Sequence, residues 1–115
     1  MKYSIKQLDG RYTHRAFFQY CAEFSRNQLG PLDFHNAMAW MIKAYGYSAE
    51  VRDWRHIRST VEARQKFNID TDIPTTVNPL WSWTNCIVSN SQYLRLYFAT
   101  NKEVSFFKLK WQQES

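Results

Sequence analysis

The side chains of this sequence that could move a proton near neutral pH are His14, His35 and His56. Two imidazoles flanking a phosphodiester, helped by a neighbouring cation, can cleave RNA without a metal, one as base and one as acid. His14 stands beside Arg15, and His56 stands among Arg52, Arg55 and Arg58, so these two are the candidates for a metal-independent ribonuclease. Three histidines are nevertheless an ordinary number for 115 residues, and nothing in their spacing brings them together. The acids are few and scattered, so no carboxylate pair suggests acid–base work or a divalent metal. There is no phosphate loop, GxGxxG, nucleophile elbow, HExxH or calcium loop. The sequence therefore reads as a binding protein, with no catalytic residues, metal or cofactor assigned.

Binding chemistry is better represented. Residues 51–67, VRDWRHIRSTVEARQKF, hold four arginines, a lysine, a histidine and a tryptophan in 17 positions. On a helix, Arg52, Arg55 and Arg58 fall on adjoining faces and can follow a phosphate backbone. Arg58, Glu62 and Lys66 also form a plain ladder of i,i+4 ion pairs on a solvated face. That ladder leaves Arg52, Arg55 and His56 unexplained. A second candidate surface is a sheet face carrying Arg15, Phe17 and Gln19 beside Tyr93, Arg95 and Tyr97, with Lys108 and Lys110 as a charged rim. Bases of a single strand stack on such rings while cations meet the phosphates, each stack being worth ~1–3 kcal/mol. A helix laid over the same face would instead turn Phe17 and Tyr97 into core.

Composition fits that class. The formal charge is +5 and aromatics reach 17%, more rings than a core of this size requires. Acidic partners follow: single-stranded RNA or DNA, or an acidic or nucleic-acid-binding protein. Length and the scarcity of Gly and Pro predict one domain over residues 1–115. MKYSIKQLDG lacks a signal peptide's apolar stretch, and no run approaches the ~20 apolar residues of a membrane span. The expectation is a cytoplasmic protein with no membrane partner, in which Cys21 and Cys86 are buried free thiols. Oligomeric state is left open.

The elements that must position these residues are read from periodicity. RAFFQYCAEF, 15–24, alternates, with Ala16, Phe18, Tyr20, Ala22 and Phe24 on one face. Asp33 is the expected N-cap of a helix running to Gly46, with Phe34, Met38, Met41 and Tyr45 at helical spacing. A short strand is expected over 47–54, a helix from about Asp53, and a long loop over 68–80. Residues 81–88 and 92–98 read as strands around a turn, with Leu94, Leu96 and Phe98 inward and Tyr93, Arg95 and Tyr97 outward. Trp81 and Trp83 either anchor a partner or form one strand's inward face. FFKLKW, 106–111, suits an edge strand whose lysines discourage edge pairing, and a helical turn can begin just before it at Asn101. Together these give an α+β fold, an antiparallel sheet of about four strands packed against one or two helices.

The order HR…F…F, a helix containing AWM and ending in YG, then WSW, a strand and a terminal FFKLKW resembles small uncharacterised accessory proteins of tailed bacteriophages. The likeness spans most of the chain and carries over no site residue. It implies an infected bacterial cytosol and a small protein acting on host or phage machinery. The sequence thus supports three functions in order: single-stranded nucleic-acid binding, inhibition of a host protein or nucleoprotein defence complex in the manner of anti-CRISPR proteins, and ribonuclease activity.

Overall fold

Period-two alternation builds the sheet. Leu94, Leu96 and Phe98 face inward as expected, in a strand that runs Ser91–Phe98. In the computed structural model, which describes residues 2–9, 18–25, 29–51, 78–88 and 91–111, four strands and two helices are defined. They are β1 (Tyr3–Gln7), β2 (Tyr20–Phe24), α1 (Gly30–Tyr45), β3 (Trp81–Val88), β4 (Ser91–Phe98) and α2 (Asn101–Lys110). The sheet order is β1-β2-β4-β3, and every pair is antiparallel. This is the expected α+β architecture, although its fourth strand is the N-terminal β1 rather than the tail. Among the described residues, no helix is long and apolar enough to cross a membrane.

α1 begins three residues before the expected cap. Pro31 occupies its first turn, where a missing N–H is no loss and a fixed φ suits the helix. Asp33 instead lies inside that turn, its N–H bonded to the Leu29 carbonyl at 2.9 Å and its carboxylate near the positive helix end. Gly30 admits no side chain, because a Cβ there would run into the Ser25 carbonyl. Gly46 ends the helix at φ 93°, a left-handed conformation that favours glycine, and its N–H bonds back to Ile42 at 2.8 Å.

The tail corrects the sequence reading most sharply. Residues 106–110 of FFKLKW belong to α2, with Trp111 as its C-cap, and not to an edge strand, so Lys108 and Lys110 are helical residues. Thr100 caps the helix, accepting from the Lys102 N–H at 3.3 Å and donating to Glu103 Oε2 at 2.6 Å. Val104 and Phe107 turn inward at a helical spacing of three, whereas Leu109, inward on the strand reading, is 75% exposed. Phe107 is the hub of the core. Its ring lies 4.9 Å from Tyr3, 5.3 Å from Phe98, 6.2 Å from Trp40 and 6.3 Å from Phe24. Both helices therefore pack on one face of the sheet, together with Phe34, Ala37, Met41 and Trp81.

Residues 46–50 run beside β3 without forming a ladder, so the described part of the strand expected over 47–54, residues 47–51, holds one parallel bridge between Glu50 and Trp83. Side chains of β3 hold this segment instead. Trp81 Nε1 donates to Gly46 O at 2.9 Å and Trp83 Nε1 to Ser48 O at 3.0 Å. Ser82 donates to Ala49 O at 2.7 Å, and Thr84 to Glu50 Oε1 at 2.6 Å. Trp81 and Trp83 are thus the inward face of a strand with their polar edges satisfied, not presented anchors.

Candidate binding surfaces

The sheet's second face carries Tyr93, Arg95 and Tyr97, the described members of the surface proposed to stack bases. Odd-numbered residues of β4 point there, together with Cys21 and Glu23 of β2. Of the strand expected over 15–24, the described residues 18–24 form a regular strand at Tyr20–Phe24. The chain bends at Gln19, whose N–H bonds to Phe98 O at 3.1 Å, and Phe18 crosses to the second face. There Phe18 packs with Leu8, Cys21, Val51 and Tyr97 in a separate buried cluster, its ring 6.1 Å from that of Tyr97. Tyr97 is only 2% exposed, so its ring is core and cannot receive a base. Burial raises its phenol pKa, with Arg95 opposing through a hydrogen bond and its charge.

Arg95 is held from several sides. Its Nε lies 2.9 Å from Glu23 Oε2, its guanidinium carbon is 4.7 Å from the centre of the Tyr93 ring, and it hydrogen-bonds Tyr97. Lys6 reaches the same Glu23 oxygen at 3.3 Å. Burial alone would raise the Glu23 pKa, but the charges and hydrogen bonds of Arg95 and Lys6 outweigh it and hold the carboxyl below its ordinary value. Burial would likewise lower the Arg95 pKa, and Tyr97 and Glu23 more than offset it. Tyr93 is half-buried beneath the guanidinium. The row Lys6–Glu23–Arg95–Tyr93 is therefore an internal electrostatic chain across three strands.

Cysteine chemistry is quiet here. Burial pushes the Cys21 thiol up to about 11, with Arg95 and Lys6 pulling the other way, so it is protonated at neutral pH. Cys86 is free as well, but half-buried rather than buried as expected. His35 is exposed on α1, its ring edge-on to Phe34 at 6.2 Å.

Lys108 and Lys110 do not rim this face. They are exposed on α2, which covers the opposite side of the sheet. Arg15, Phe17, Arg52, Arg55, His56 and Arg58, with His14 and the expected helix and loop of 53–77, lie outside the described residues. The structure thus separates Tyr93, Arg95 and Tyr97 from the two lysines.

A surface overlooked in the sequence lies on the outside of α2. Phe106 is 50% exposed and Leu109 is 75% exposed. Spacings of three and four residues place Lys102, Phe106 and Leu109 on one outer stripe, with Lys110 and Lys108 on its flanks. The signal that would have revealed it is T-x-x-E at Thr100–Glu103, a helix-start signature that converts the period of FFKLKW from two to 3.6. On α1, Leu32 and Ile42 are also exposed. The chain matches no protein-family model, no curated protein and no solved structure among known proteins.

Proposed function

We propose that this chain acts by binding a macromolecule rather than by turning over a substrate, and that its partner is an acidic protein. The observation that carries this reading is the engagement of Arg95. A guanidinium tied to Glu23 and Tyr97, laid over Tyr93 and only 20% exposed presents little of itself to a phosphate. Among the described residues, most of the large apolar groups that remain accessible are aliphatic, including Leu32, Ile42, Ile87 and Leu109, with Tyr47 and Phe106 the aromatic ones. Aliphatic side chains do not stack bases, but they suit a protein surface, and the charge of +5 favours an acidic one. In the phage setting implied by the sequence resemblance, this is the inhibitor reading, with a host protein as target.

Single-stranded nucleic acid is the second reading, favoured by the same net charge and by the half-accessible Tyr93. Anisotropy of labelled single-stranded RNA and DNA, titrated at about 50 and 200 mM salt, separates the two. The protein reading expects no saturable binding at the lower salt. Tight binding that weakens steeply at the higher salt would replace it with the nucleic-acid reading.

A further inference from the structure

We infer that the outer face of α2 is a docking site for an acidic, leucine-bearing segment of a partner protein, with Phe106 and Leu109 as apolar anchors and Lys102 and Lys108 as the charges that select it. This rests on the protein-binding reading above and assigns its surface.

Three features support it. The first is apolar exposure where the helix has no structural use for it. Val104 and Phe107 already bury the inner face of α2, so Phe106 and Leu109 add nothing to the core that a polar residue would not. The second is spacing: residues three apart are neighbours on a helix surface and form a continuous ridge, which a second apolar segment can straddle. The third is charge. Lys102, Lys108 and Lys110 surround the pair, while the acid of this helix, Glu103, is buried against Thr100 and contributes nothing to the outer surface.

Charge also discriminates among occupants. A second copy of this chain would bring the same lysines face to face across a two-fold axis, which like-charge repulsion disfavours. A single nucleic-acid strand would satisfy the lysines but leave Leu109 facing a phosphate or sugar. An anionic lipid surface attracts basic helices that present a broad apolar face, and here that broad face is turned into the core. An acidic segment with two or three apolar side chains satisfies both parts of the patch.

The test uses the full chain and a fluorescein-labelled amphipathic peptide of glutamates with leucines at helical spacing. Wild-type protein should bind it saturably, and the double variant Phe106→Ser/Leu109→Ser should weaken binding at least about tenfold. Lys102→Glu/Lys108→Glu should also weaken it and flatten its salt dependence. Because all four side chains are exposed, unchanged circular dichroism and melting will show that the variants fold. Absence of peptide binding overturns the inference. Binding that all variants retain places the acidic-protein site elsewhere, so this surface fails while the protein reading stands. Single-stranded DNA, or vesicles containing phosphatidylserine, binding in place of the peptide and lost in the same variants would overturn the partner class.

Discussion

Arg95 stands directly across the β2–β4 pair from Glu23, its Nε 2.9 Å from that carboxylate. The pair, with Lys6 on the same oxygen, explains how a strand face with cations and rings can be structural. It also ties stability to pH. A carboxyl held below its ordinary pKa in the folded state contributes stability that is fully present above the unfolded value of about 4.3 and is lost as pH falls through the folded value. Urea midpoints measured from pH 7 down to about pH 3 should therefore fall on the acid side, and Glu23→Gln should remove part of that fall. Parallel profiles for the two proteins would show that the pair carries no such linkage.

Neighbouring phenylalanines on α2 should behave oppositely. Phe107 lies among four aromatic rings and is completely buried, so Phe107→Ala should destabilise by about 3–5 kcal/mol. Phe106 is half exposed, and Phe106→Ala should stay within about 0.5 kcal/mol of wild type. Chemical denaturation of the two variants provides the comparison. Similar losses would contradict the helix register.

Thr100 tests the origin of the same helix. Its hydroxyl both caps the Lys102 N–H and bonds Glu103, so Thr100→Ala should cost about 1 kcal/mol, while Thr100→Ser should retain most of the stability. A neutral Thr100→Ala would argue that α2 is fixed by packing alone.

Strand β4 and helix α2 mark what local periodicity conveys and what it leaves open. Leu94, Leu96 and Phe98 read correctly because their alternation coincides with a strand whose one face is fully covered. In FFKLKW the same alternation runs only over residues 107–111, too short a window for period two to exclude period 3.6, and only the upstream cap decides between them. The candidate site was less legible. Tyr93, Arg95 and Tyr97 do share a strand face, but Phe18 crosses at the Gln19 bend and buries Tyr97, while Glu23, 72 positions away, engages Arg95. Neither contact is local, so no spacing rule could announce it.

Thiol accessibility distinguishes the cysteines. Cys21 is fully buried with its pKa pushed up to about 11, and Cys86 is half-buried. Ellman's reagent at neutral pH should modify about one thiol in the folded protein, and Cys86→Ser should abolish that reaction. Denaturant should then expose Cys21. Fast reaction of Cys21 in the native state would mean that the second-face cluster opens readily.

Competition between an acidic peptide and a single strand separates the two partner classes. Protein bound to the labelled glutamate–leucine peptide, at about 50 mM salt, is challenged with excess unlabelled single-stranded DNA while anisotropy is followed. Anisotropy that stays high is the result expected of a protein whose partner is an acidic protein segment. A fall to the free-peptide value would mean that a single strand takes the same surface more tightly, and the partner would be nucleic acid after all.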